Sequence, residues 1–246
     1  MSIETAEEQA AMERVGALVA SVLAELRVAV APGITTGALD ELAARAFRRA
    51  GATSGPAELV GFPASICISV NEEIVHGIPG SRVLREGDLV TLDVTPLLDG
   101  YCADAAITVA VGRARPEALR LIAAAQLCLH AATGAAATGK PLHGIGAATE
   151  WTARAAGVTV YAELVGHGVG RTMHEPPQVP NVFTPRLRRK LNEGLVLAIE
   201  PMIGLGRPEL ELRDDGWTIA TADGSLSAHA EHTVVVRAGG GRVLTA

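Results

Sequence analysis

The chain has 246 residues, of which 21 are Lys or Arg and 27 are Asp or Glu, for a formal net charge of −6. That length fits one large α/β domain or two small ones fused tightly, and the acidic balance argues against a protein that grips nucleic acid or an anionic membrane. Aromatic residues make up only 3% while 43 residues are Ala, so the apolar content favours close-packed helices over membrane spans.

In chain order, residues 6–30 read as an amphipathic helix ended by Pro32-Gly33. Thr36 is placed to cap a second helix over 37–50, with Gly51 as its stop. After a Gly/Pro-rich connection, residues 66–70 (ICISV) form a short β-type run. Asp88–Thr95 and Ala105–Val111 read as strands, with Asp99-Gly100 as the hairpin turn between them. Pro116 opens a helix to about Ala132, and 143–156 is another. Val158–Leu164, Leu195–Glu200, Trp217–Thr221 and His232–Arg237 read as strands. The order of helices, strands, helices and strands suggests a sheet covered by helices on one side.

The longest uncharged run, Leu121–Gly139, carries Gln126, His130, two Thr and two Gly among its Ala. It falls short of the ~20 predominantly apolar residues of a membrane span. The acidic start lacks the positive region of a secretory signal. Three cysteines with no CxxC spacing suggest neither a disulfide framework nor a thiolate zinc site, so a reducing cytoplasm is the expectation.

One internal similarity carries weight. EGDLVTLD (86–93) aligns without gaps on EGLVLAIE (193–200). Each is a Glu-Gly turn, an apolar strand and a carboxylate, and each is followed by a second strand that begins near an acid, Asp104 or Glu231. The pattern suggests a duplicated hairpin unit that aims four acids at one point. Ionised acids are rarely buried unless paired or bound to metal, and the strands 88–95 and 195–200 contain no Lys or Arg. A pair of divalent metals answers that charge. His167, between the glycines of VGHGVG, adds an imidazole. The expected ligands are then Asp93, Asp104, His167, Glu200 and Glu231, with Asp104 and Glu231 bridging. This oxygen-rich set suits hard or borderline ions. No role is assigned to His229 and His232, which face opposite sides if their segment is extended. His130 and His143 sit in helical, Ala-rich surroundings and read as structural or exposed. The sequence has no HExxH helix, GxSxG elbow or Walker motif.

Taken together, CISVNEEIVHGIP (67–79), LDVT (92–95) with Asp104, GHGVGRTMHEPP (166–177), IEPM (199–202), DGW (215–217) and SAHAEHT (227–233) resemble the type I methionine aminopeptidases of bacterial form. The resemblance runs from about residue 5 to 237. The 26 positions from His174 to Glu200 leave no room for the helical insertion of type II enzymes. The resemblance implies an α+β pita-bread fold, a duplicated α/β unit with a curved antiparallel sheet covered by helices, in one catalytic domain over 1–246. It implies removal of the initiator methionine from nascent chains when the second residue is small. It implies two divalent ions (Co, Mn, Fe, Zn or Ni) on the five ligands named above, and a monovalent cation near Asn71 and Ser227. Glu200 would relay protons, His174 would hold the substrate carbonyl and oxyanion, and His76 would contact the amide nitrogen beyond the scissile bond. Phe62, Cys67 and Trp217 would line the methionine pocket, with Leu59-Val60 departing from the family at its entrance. The implied partners are nascent N-termini and, transiently, the ribosome, with no nucleic-acid specificity, no membrane and a monomeric state. The competing expectations are a Pro-specific peptidase of the same fold, and a non-catalytic relative that uses the fold for protein or RNA contacts.

Overall fold

The computed structural model describes Met1 to Ala246. Helix α1 (Ala6–Ala29) begins where Thr5 Oγ1 accepts the Glu8 N–H at 3.1 Å, which satisfies one of the free donors of the first turn. Met12, Val15, Val19, Val22 and Leu26 recur every three or four residues and are all buried, the stripe by which the helix packs. Helix α2 (Thr36–Ala50) is capped by Thr35 and not by Thr36. Thr36 already lies in the first turn, where its hydroxyl bonds to the backbone of Gly80. Gly51, at φ 71°, ends the helix in the left-handed conformation.

Strand β1 (Thr53–Ser54) and the short α3 (Gly55–Val60) lead into β2 (Cys67–Val70) and β3 (Glu73–Val75). Strands β4 (Leu89–Val94), β5 (Pro96–Leu98), β6 (Tyr101–Cys102) and β7 (Ala105–Ala110) make one long, interrupted hairpin. Its tip is the Asp99-Gly100 turn, with φ of 51° and 77°, both left-handed as a two-residue hairpin turn of this hand requires.

Helix α4 (Pro116–Ala135) runs three residues beyond the expected end, and α5 (His143–Ala156) falls where expected. By length and composition α4 is long and apolar enough to cross a bilayer, at a mean hydropathy of 1.2. The helix starts at Pro116, five residues before the uncharged run Leu121–Gly139 that by itself falls short of a span. Its Leu121, Ala125, Cys128 and Ala132 side is buried in the second core described below.

The second half continues with β8 (Thr159–Val160), β9 (Val165–Gly168), β10 (Glu175–Pro180), β11 (Val196–Ile199) and β12 (Met202–Gly204). It ends with β13 (Leu210–Leu212), β14 (Ile219–Thr221), β15 (Ser227–His229), β16 (His232–Arg237) and β17 (Gly240–Val243). The strand expected over 158–164 is only two residues long. The one expected from Trp217 starts at Ile219, because Asp215 Oδ1 accepts the N–H groups of both Trp217 and Thr218 and holds Trp217 in a turn.

Two antiparallel sheets dominate, in the orders β2-β4-β7 and β10-β9-β11-β16-β17. Helices α1 and α2 cover the first around one apolar core, and α4 and α5 cover the second around another. Each half is therefore two helices on an antiparallel strand pair, β4/β7 in one and β11/β16 in the other. This is the duplication legible in the two Glu-Gly repeats.

Candidate metal centre and pocket

The chemistry collects where the two strand pairs meet. Asp93 lies in β4, opposite Ala106. Asp104 immediately precedes β7, Glu200 immediately follows β11, and Glu231 immediately precedes β16. Strand ends free the carboxylates from the pleat while the flanking apolar residues stay buried. Asp104 is 6% and Glu231 2% exposed. His167 enters from β9, and its two glycine neighbours are required by packing. A Cβ at Gly166 would collide with the carbonyl of Ala198, and one at Gly168 with the carbonyl of Pro176. His167 Nδ1 lies 2.9 Å from Gly168 O, so Nδ1–H donates there and Nε2 is left as an electron-pair donor. Nε2 lies 3.3 Å from Glu200 Oε1. Asp104, His167 and Glu231 each offer one donor atom, and these three atoms lie within 4.8 Å of one another.

Burial drives the electrostatics. It raises Asp93 well above the usual carboxylate range, and the charge of Asp104 raises it further. Burial likewise raises Glu200 and Glu231, with Asp104 the largest charge acting on each. Asp104 is raised by burial against the hydrogen bond that its Oδ1 accepts from Thr95 Oγ1 at 2.7 Å. Glu200 Oε1 and Glu231 Oε1 are buried acceptors with no donor. Four crowded carboxylates, two of them with orphaned oxygens, beside an imidazole that presents Nε2, are the donor set a divalent cation pair satisfies. The residues fit the metals that the sequence suggested.

A cavity of about 580 Å³ opens above these groups. Its apolar side includes Phe62, Cys67 and Trp217, with the Phe62 and Trp217 rings edge to face at 5.2 Å. Burial, then the neighbouring acids, pushes the Cys67 thiol well up, so it is an apolar wall and not a nucleophile. Val60 lines the entrance. His174 packs against His167, edge to face at 4.4 Å and 83°. Burial and then the His167 ring lower its pKa. His76 also lines the cavity and is held at φ 58°, a left-handed backbone that is uncommon outside glycine and recurs at functional sites. The ten residues expected as metal ligands, catalytic groups or pocket walls therefore all border this one cavity. Asn71 and Ser227 lie outside its lining, where Ser227 Oγ donates towards the carbonyls of Asn71 and Glu73, at 3.0 Å each.

Three contributors escaped the sequence reading. Thr95 and Thr233 hold Asp104 by hydrogen bonds. His229 lines the cavity at 1% exposure. It was given no role on the condition that 229–232 is extended. The chain breaks at Ala230-Glu231, so His229 belongs to β15, paired with β12, while His232 starts β16. His130 is exposed, and His143 is half-buried against Phe183, as expected of residues outside the site.

Residues 10–238 match metallopeptidase family M24, and the chain belongs to that family. Within it the similarity is to methionine aminopeptidases. The Clostridium perfringens methionine aminopeptidase is 42% identical over 234 residues, 95% of this chain and 94% of its own. The crystal structure of methionine aminopeptidase from Rickettsia prowazekii superposes with a TM-score of 0.96 at 34% identity, over all of both chains. A Xaa-Pro dipeptidase from Bacillus anthracis shares the fold at a TM-score of 0.78 and 21% identity, with this chain spanning 61% of its length. The fold is thus the pita-bread fold inferred from the motifs.

Proposed function

We propose that this chain removes the initiator methionine from newly made proteins by metal-dependent hydrolysis of the first peptide bond. The observation that carries the reading is the placement of four carboxylates, Asp104 and Glu231 buried and Asp93 and Glu200 half-buried, with His167 in the lining of a cavity walled by Phe62, Cys67 and Trp217. Asp93, Asp104, His167, Glu200 and Glu231 would hold two divalent ions of the Co, Mn, Fe, Zn or Ni class, Asp104 and Glu231 serving both. When bound, such ions supply Lewis acidity and activate water near neutral pH.

The remaining work falls to the protein. The apolar wall takes the methionine side chain, and the α-amine sits on the Asp93 side, which limits cleavage to one residue. Glu200, whose pKa burial has raised, accepts the proton from water and returns it to the leaving amine. The lowered pKa of His174 keeps it a neutral N–H donor to the substrate carbonyl as negative charge develops. His76 contacts the amide nitrogen beyond the scissile bond. A small second residue fits beside this rim. Asn71 and Ser227 take a monovalent cation that steadies the turn before β3.

The same reading places the protein in the cytoplasm as a monomer, with all 246 residues acting as one catalytic domain. Its partners are nascent N-termini and, in passing, the ribosome, without sequence-specific nucleic-acid contacts and without a membrane. One surface supports the ribosome contact. Arg186, Arg188, Arg189, Lys190 and Lys140 are all exposed and form no ion pair, a local excess of positive charge on an acidic protein.

The test is hydrolysis of Met-Ala-Ser and Ala-Pro-Ala after chelation and reloading with a metal series. We expect metal-dependent cleavage of the first peptide only. Preference for the second would make the chain a Pro-specific peptidase, and absence of turnover in folded, metal-loaded protein would make it a binding relative.

A further inference from the structure

His229 is the only histidine that the fold buries completely, and neither of its ring nitrogens has a protein partner. A buried, unmatched polar group is costly and calls for an explanation. The backbone that carries the ring is pinned. Its backbone N–H donates to Thr108 Oγ1 at 2.8 Å, the same hydroxyl donates back to the His229 carbonyl at 2.8 Å, and Thr108 Oγ1 lies 2.7 Å from Thr91 Oγ1. On its other side His229 pairs with Met202 of β12. This clamp aims Nε2 into the gap between two acids, 3.6 Å from Glu231 Oε2 and 3.9 Å from Glu200 Oε2.

We propose that His229 is a positioning residue of the metal centre, whose Nε2–H fixes the direction in which the Glu231 and Glu200 carboxylates face. The proposal rests on the metal-dependent reading above. The imidazole is buried on a pinned backbone and has two rotatable side-chain bonds, whereas each glutamate has three. A shift of about half an ångström by the Glu231 carboxylate brings it within the ~3.2 Å reach of an N–H donor. One carboxylate oxygen engaged by His229 leaves the other presented to the metals. Partners that orient ligands in this way are worth roughly 10–100-fold in metal affinity.

The experiment compares wild type with His229→Leu and His229→Gln. Mn²⁺ affinity is read by titration calorimetry, and kcat and KM on Met-Ala-Ser are read at saturating metal. We expect His229→Leu to bind Mn²⁺ about 10–100-fold more weakly, with a lower kcat and a KM within about twofold of wild type. His229→Gln, which keeps an N–H donor, should recover to within about threefold of wild-type affinity. Unchanged Mn²⁺ affinity in His229→Leu would overturn the proposal, as would a Gln variant as damaged as the Leu variant. If His229→Leu does not fold, ¹⁵N-histidine NMR of wild type loaded with Zn²⁺ decides, the His229 signals being assigned by their loss in His229→Gln. A protonated, uncoordinated Nε2 is expected, and a metal-bound Nε2 would make His229 a ligand and overturn the positioning role. Failure of wild type itself to bind metal would instead sink the functional reading on which this one stands.

Discussion

Asp104 and Thr233 exchange two hydrogen bonds across the junction of the two halves. The Asp104 N–H donates to Thr233 Oγ1, and that hydroxyl donates to the Asp104 carbonyl, each at 2.8 Å. The other proposed bridging acid is tied in the same sense, with the Glu231 N–H donating to the carbonyl of Ala106 at 2.9 Å. Each acid is thus anchored to the residue two positions after its counterpart. The junction that joins the duplicated units is also the frame of the centre, so stability and metal geometry share the same few bonds.

Thr233→Val removes that hydroxyl with little change of shape and leaves the Asp104 N–H and carbonyl without this partner in the interior. The expected cost is about 1–3 kcal/mol, a fall in Tm of roughly 2–12 °C for a chain of this size. Metal affinity should fall with it, because Asp104 loses its anchor. Thermal unfolding and Mn²⁺ titration check the two together, and a variant with wild-type Tm would show that the exchange contributes nothing.

His174 packs against His167 but comes from the exposed rim, so its removal opens no cavity in the core. His174→Ala should fold and bind two metals as wild type does while losing about 10²–10³ in kcat, the usual worth of one preorganised donor to a developing oxyanion. Near-normal kcat on Met-Ala-Ser would contradict the role given to His174.

The parts of this centre that were legible in the sequence share a physical signature. Asp93 and Glu200 interrupt or end runs of apolar residues where ionised acids are costly, and His167 sits between glycines that backbone packing demands. What stayed hidden depended on contacts between distant segments. Strand β10 carries Pro176, Pro177 and Pro180, which argue against a strand, yet it lies at the edge of its sheet, where a missing N–H is tolerated. Strand β9 is half glycine. Thr233 looked like one more β-branched residue in HTVVVR, and only the fold brings it to Asp104. His229 was masked because only two residues, Ala230 and Glu231, separate two strands that belong to different sheets.

Asp104→Asn separates metal binding from folding. Beyond burial itself, Asp104 is the largest charge raising Asp93, Glu200 and Glu231. The substitution removes a bridging ligand and, in metal-free protein, that repulsion. Elemental analysis should find less than two metals per chain, while the metal-free variant melts higher than metal-free wild type. Full two-metal content would count against the bridging assignment.

The same repulsion sets how metal-free protein responds to pH. Burial, aided by neighbouring charge, holds Asp93, Glu200 and Glu231 above their usual 3.8–4.5. The unfolded chain releases these protons first as pH rises. Their contribution to stability is therefore complete below the usual carboxylate range and is lost as pH climbs through the raised values. The histidines act in the opposite direction. Burial lowers His76, His167 and His174, and lowers His229 to about 3. The unfolded chain binds protons at these positions first as pH falls below 6.5, so stability is lost on the acid side as well. Chelated protein should show a narrow Tm maximum with a fall on both flanks. Mn²⁺ binds the deprotonated acids and should abolish the alkaline fall while steepening the acid one, as protons displace the ion. Thermal unfolding from about pH 5 to about pH 9, with chelator and with Mn²⁺, measures both curves. A chelated protein whose Tm rises steadily to the alkaline end would mean that the four acids are not confined together when the metals are gone.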